Sequence, residues 1–265
     1  MIKKIVKVDY NDKYDDEIDK LRVSVSMLLL ERDNLLFHEC KDIEAEYVLK
    51  FGKLEYKVYE AECEYRRLKR KLELIITSRN HNVPIDLDTI DEQLEKELEE
   101  FYKILNAKLG EIEDAKIRQG LPRLSVEEDK ELKSLYRKLI KKLHPDMNPN
   151  VTEYEKELFN KVVECYENGN LLELQMIEIS LEDKSISVEN SLEEKQRLTK
   201  LVDRLTSQIQ EIKSAYPYIL KETLVNKEKT IERYKELNEI YDRYSYEIQI
   251  YTEEIENFLK EEKNE

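Results

Sequence analysis

Apolar residues recur along this chain in steps of three and four, the spacing that keeps one face of a helix apolar. Leu54, Val58, Ala61, Tyr65, Leu68, Leu72 and Ile75 follow it. They predict the second half of a helix running from about Lys13 to Ser78, after a short irregular leader. Such a seam faces a partner helix. Unbroken, the segment would reach on the order of 100 Å. Gly52 weakens it, but a single glycine is tolerated.

The stretch "SRNHNVPIDLD" ends that pattern, because Pro84 cannot continue a helix and Asp88 is placed to cap the next one. A second helix is expected from Thr89 to Ile117, with Ile90, Leu94, Leu98, Phe101, Leu105, Leu109 and Ile112 on one side. Two long amphipathic helices joined by a short loop form an antiparallel hairpin. Gly120 and Pro122 close it. After a set of shorter helices from Ser125 to about Glu182, long periodicity returns. Leu198, Val202, Leu205, Ile209 and Ile212 form one seam, and Leu237, Tyr241, Tyr244, Ile248, Tyr251, Ile255 and Phe258 another. Tyr216-Pro217 should interrupt the backbone between them. The pattern divides the chain into an N-terminal helical hairpin (1–122), a compact helical module (123–182) and a C-terminal arm (183–265). The fold class expected is all-α, with a helical hairpin inserted between long antiparallel coiled-coil helices.

Composition agrees. Of 265 residues, 40% are charged, while only four are Gly and five are Pro, too few turn residues for a many-stranded fold. A net charge of −15 sets the average surface against phosphate, so nucleic acid and anionic membrane are disfavoured as partners. The longest apolar stretch, "VSVSMLLL", is too short to span a bilayer. Cys40, Cys63 and Cys165 are odd in number and widely spaced, which fits a reducing cytoplasm. "HEC" at His38 to Cys40 invites a metal reading with Cys63. However, helix positions two apart diverge by about 200°, so no metal ion or other cofactor is expected. His81 sits in a polar loop and reads as solvated. The 17 tyrosines fall repeatedly at seam positions, where packing explains them better than base stacking. No phosphate loop, Ser-His-Asp set or carboxylate dyad suggests an enzyme.

The chemistry concentrates in the shorter helices. "SVEE" offers a capping box of Ser125 with Glu128. The helix that follows should end at Leu143, with Leu132, Leu135, Tyr136, Leu139 and Leu143 on one face. Lys133, Arg137, Lys138, Lys141 and Lys142 cover the opposite arc, and no acidic residue occurs from Leu132 to Pro145. His144-Pro145-Asp146 comes next. A residue before proline is pushed out of helical geometry, so His144 should stand at the helix boundary. Thr152 and Glu155 supply a second capping box. The next helix carries Phe159, Val162, Val163 and Tyr166 on one face, and "NGN" at Asn168 to Asn170 closes it. Two antiparallel helices would display an exposed His-Pro-Asp loop at their tip.

That order, "LYRKLIKKLHPDMNPN" followed by "LFNKVVECYENG", resembles the J domain of the DnaJ/Hsp40 co-chaperones over about Ser125 to Asn170. The resemblance implies a partner of the Hsp70 (DnaK) class, whose ATP hydrolysis the loop stimulates by contact near its nucleotide-binding domain and interdomain linker. Carried over by residue, it makes His144, Pro145 and Asp146 the stimulating loop, with Asp146 accepting a charge-assisted hydrogen bond from a partner arginine. Lys133, Arg137 and Lys138 match positions that face Hsp70, with Lys141 and Lys142 assisting electrostatically. The long arms would then carry a client or a location, paired within one chain or in a homodimer. Departures are plain. The family's first helix carries Tyr-x-x-Leu-Gly, and "YKILNAKLGEIEDAKIRQGLP" does not supply it in place, leaving the end of the preceding arm as its candidate substitute. Met147 stands where Lys or Arg is common, "LLELQMIEI" diverges from the fourth helix, and the Gly/Phe-rich linker and CxxC repeats are missing. The competing reading is a structural or adaptor coiled-coil protein whose J-like hairpin is degenerate.

Overall fold

The computed structural model describes residues 10–181 and 192–262. The leader through Asp9 and the expected boundary at 182–183 lie outside them. Every regular element among the described residues is a helix: α1 (Tyr10–Asn34), α2 (Cys40–Asn80), α3 (Leu87–Glu97), α4 (Glu99–Gly120), α5 (Val126–Leu143), α6 (Glu153–Glu167), α7 (Leu171–Leu181), α8 (Leu192–Ser214), α9 (Leu220–Val225) and α10 (Lys227–Glu262). The fold is all-α. A π-helical turn, Leu35–Glu39, joins α1 to α2, and both its flanking residues keep right-handed helical angles. The helix expected from Lys13 to Ser78 is therefore continuous but carries one widened turn.

Contacts group the residues into two compact units, one of 1–41 with 122–219, the other of 42–121 with 220–265, rather than into three successive segments. In the second unit α2 pairs antiparallel with α3 and α4. Asp91 meets Lys71, Phe101 lies under Arg66, and Arg118 reaches Asp42. This is the expected hairpin, with a break at Leu98 (φ −102°, ψ 4°) that divides the second helix into α3 and α4. The cap of α3 is Asp86, whose carboxylate accepts from the amides of Asp88 and Thr89, so the aspartate two residues before the expected one does the capping. Gly52 marks a close approach, since a Cβ there would stand 3.1 Å from Val48 and 3.2 Å from Ile112. Of the expected seam, Ile90, Leu94, Leu98 and Ile112 are buried, whereas Leu109 is exposed.

α10 runs parallel to α2, as the contacts of Tyr234 with Phe51, Tyr244 with Tyr65 and Glu261 with Arg79 show. Leu72, Ile75, Ile90, Leu94 and Ile255 form its core. In the first unit α8 likewise runs parallel to α1, with Lys195 on Glu17 and Lys213 on Glu31. The antiparallel relation expected for the long helices thus holds for α2 with α3 and α4, while α8 and α10 return in the parallel sense. Tyr216-Pro217, a cis peptide, lies in the gap between α8 and α9, as the proline required.

The core of the first unit is one cluster fed by five helices. It contains Ile18, Val25 and Leu29 of α1, Leu132, Leu135, Tyr136, Leu139, Ile140 and Leu143 of α5, Val162 and Tyr166 of α6, Leu174 and Ile177 of α7, and Leu198, Leu201 and Leu205 of α8. The tip of the α5–α6 hairpin adds Met147 to it.

Candidate functional site

Both capping boxes form. Ser125 accepts from the Glu128 amide while Glu128 accepts from that of Ser125, and Thr152 and Glu155 do the same for α6. Each satisfies two amides that a helix start otherwise leaves without partners. α5 ends at Leu143, where His144 turns extended (φ −64°, ψ 124°) ahead of Pro145. At the far end Gly169 takes a left-handed φ of 67° and the Asn170 amide donates to the Cys165 carbonyl, the glycine-based helix stop that "NGN" announced.

The hairpin is tied to α1 by its aromatics. Tyr136 and Tyr166 stack with centroids 3.9 Å apart and planes at 11°. The Tyr136 hydroxyl donates to Asp33 Oδ2 at 2.7 Å, fully buried, while Arg32 holds the other oxygen of that carboxylate. Burial, reinforced by the neighbouring Asp33 charge, pushes the Tyr136 hydroxyl far above the ordinary tyrosine range, so it stays a donor. These partners answer what replaces the missing first-helix signature. The helices packed on α5 are α1, α6 and α7, and the end of the preceding arm falls in the other unit.

The tip itself differs from the exposed loop expected. His144 is buried, only 8% exposed. Its ring meets Phe159 edge-on at 4.9 Å, and its Nδ1 accepts the Asp146 amide proton at 3.0 Å. That acceptor role fixes a neutral imidazole with the proton on Nε2. Burial drives the His144 pKa down; Asp146 opposes that shift. The His144 carbonyl accepts from the amides of Met147 and Asn148, and Asn148 Nδ2 returns to donate to the Lys141 and Lys142 carbonyls at the end of α5. The histidine is therefore the loop's internal scaffold, whereas Pro145 and Asp146 stay half exposed. Met147 is buried in the core, which explains why no Lys or Arg stands there: its charge would lose its water.

On the basic face, the five cations divide. Lys133 pairs with Asp129 one turn back, and Lys138 reaches Glu178 on α7. Arg137, Lys141 and Lys142 make no side-chain hydrogen bond or ion pair among the described residues, and Arg137 and Lys141 are exposed.

Two arginines of α8, unsuspected from the sequence, complete the surroundings. Arg197 donates to the Met147 carbonyl at 3.0 Å and to Glu194, which also faces Arg22 of α1 at 3.6 Å. Arg204 pairs with the Asp146 carboxylate. A cleft of about 380 Å³, bounded by Pro145, Asp146, Pro149, Lys200 and the two arginines, lies beside the loop. The sequence did carry one sign of this. Arg197, Lys200 and Arg204 recur at helical spacing beside the Leu198, Leu201 and Leu205 seam, but nothing in that spacing says which loop they meet.

A hairpin with this basic helix, a histidine-centred tip and a tyrosine-stacked second helix is a recognisable module. Residues 120–168 match the DnaJ domain. No curated protein and no solved structure matches the chain. The J domain sits among long helices and supports a co-chaperone role in general. Among the described residues, no group of three or more His, Cys, Asp or Glu side chains is gathered to hold a metal ion, and no helix is long and apolar enough to cross a membrane.

Proposed function

We propose that this chain is a cytoplasmic J-domain co-chaperone that binds an Hsp70 through the His144-Pro145-Asp146 tip and the basic face of α5, stimulating ATP hydrolysis. The observation that carries the reading is the tip's construction. His144 is spent inside the loop, and that fixes Pro145 and the Asp146 carboxylate at the surface beside the last turns of a helix with unpaired cations. Arg137, Lys141 and Lys142 steer an acidic partner surface, chiefly through on-rate, and Asp146 supplies an acceptor for a partner cation. Preferring one conformational state of the chaperone shifts its population or its hydrolytic barrier without any chemistry by this chain. The long arms of the second unit would carry the client or the address.

The test is single-turnover ATP hydrolysis by the matching Hsp70. Wild type should stimulate, and His144→Gln should lose nearly all stimulation with far-UV circular dichroism unchanged, because glutamine offers no ring to rest on Phe159 and no fixed acceptor for the Asp146 amide. Equal stimulation by the two proteins would end the co-chaperone reading. The adaptor reading, in which the hairpin serves only packing, draws support from one observation, the Arg204 contact that already occupies Asp146. It expects no stimulation from either protein.

A further inference from the structure

α8 grips the tip at two points, and the two differ in kind. Arg197 is held by buried Glu194 and donates a hydrogen bond to the Met147 carbonyl, which fixes the loop's path. Arg204 instead takes the tip's surface carboxylate, and its pair with Asp146 is open to water, with the two side chains 56% and 45% exposed. An exposed pair of this kind is weak and readily exchanged. The cleft does not form an anion site of its own, because Arg197 and Arg204 are both committed to oxygen atoms of this chain and Lys200 alone is left.

We propose that Arg204 is an internal competitor for Asp146, so that the J domain rests self-paired and a chaperone docks only by displacing that arginine with a cation of its own. The inference rests on the co-chaperone reading. α8 need not leave for the exchange. Leu198, Leu201 and Leu205 anchor it in the unit's core, at 0%, 5% and 0% exposure, and only the arginine side chain has to swing away. Rotamer changes at exposed side chains take picoseconds to nanoseconds, so the competition sets an equilibrium handicap rather than a slow gate. The same geometry explains how a surface carboxylate can be kept from chance cations and still remain available to a partner with more contacts to offer.

The experiment compares four full-length proteins in the Hsp70 single-turnover assay: wild type, Arg204→Gln, Arg204→Lys and Lys200→Gln. Arg204→Gln should reach half-maximal stimulation at about a two- to fivefold lower concentration, the range that an exposed ion pair allows, with the maximum unchanged. Arg204→Lys retains a cation for Asp146 and should stay near wild type. Lys200→Gln, on the same helix but without that contact, should leave the concentration unaltered. The proposal is overturned if Arg204→Gln needs as much protein as wild type or more. It is equally overturned if Lys200→Gln shifts the curve as far in either direction, since α8 would then act through its charge as a whole. Should no protein stimulate at any concentration, the co-chaperone reading itself fails and takes this inference with it, a pattern distinct from the other two.

Discussion

At the scale of single residues, the tip is organised by one imidazole that must stay neutral. Burial lowers the folded-state pKa of His144 below the ordinary 6.5, with Arg32 and Arg204 acting in the same direction and Asp146 and Asp33 against it. The unfolded chain therefore binds a proton more readily than the folded one at mildly acidic pH. Stability from this residue is complete above about pH 6.5 and is lost as pH falls through the folded-state pKa. Protonation would also remove the acceptor for the Asp146 amide. The expected outcome is an NMR titration of the His144 ring with its midpoint below 6.5, and a Tm that declines from pH 7 to pH 5.5 less steeply in His144→Gln than in wild type. A midpoint at or above 6.5 would contradict the buried, neutral assignment. A second residue-scale prediction concerns Tyr136→Phe, which keeps the stack on Tyr166 but takes the donor from buried Asp33. A buried acceptor stripped of its donor costs about 1–3 kcal/mol, visible as a drop in Tm, and a change inside measurement error would mean that Arg32 suffices alone.

At the scale of elements, the proposed docking role splits the charge on α5 between paired and unpaired cations. Lys138 is engaged by Glu178 and Lys133 by Asp129, so the cations left to meet a partner are Arg137, Lys141 and Lys142. Reversing both Arg137 and Lys141 to Glu should weaken Hsp70 binding at low ionic strength and flatten its salt dependence, because the screened attraction is gone. Reversal of Lys133 should do less. Unchanged low-salt affinity in the double variant would argue against docking through this face. Element boundaries were legible wherever a local rule governs them. Ser125, Thr152, Pro145 and Gly169 each set a helix end through their own backbone or the next three residues, and the structure follows them. The π turn at Leu35–Glu39 and the break at Leu98 were not legible, since no proline or glycine marks either. The site was legible in the same measure. His144-Pro145-Asp146 and the basic face stood out in sequence, but the His144 ring rests on Phe159 of the next helix, and Arg204 reaches Asp146 from 58 residues further along the chain. Asp33 left a trace, a charge set among Leu28, Leu29, Leu30, Leu35 and Leu36, but its tyrosine partner lies 103 residues away.

At the scale of the whole molecule, the J domain is not a self-sufficient globule. Its hairpin shares one core with α1 and α8, contributed by stretches before and after it, and Ile18, Val25, Leu29, Leu198 and Leu205 are each fully buried there. Burying such a side chain is worth about 1.5–3 kcal/mol, whereas a domain's entire margin is about 5–15 kcal/mol. Losing several of them at once exceeds that margin. Excision would also strand the Tyr136 hydroxyl without Asp33 and the Met147 carbonyl without Arg197. A peptide of residues 122–181 should therefore keep part of its helicity, since α5, α6 and α7 pack on one another and two capping boxes are local. It should nevertheless show no sigmoidal urea transition, and it should bind a dye specific for exposed apolar surface, whereas the full chain unfolds cooperatively and does not. A peptide that melts in one sharp step at the full chain's urea midpoint would mean that α1 and α8 merely lie against a finished domain. Partial order is the expected result because the partners that complete this hairpin are placed by the chain's long helices, and the same helices deliver Arg204 to its tip.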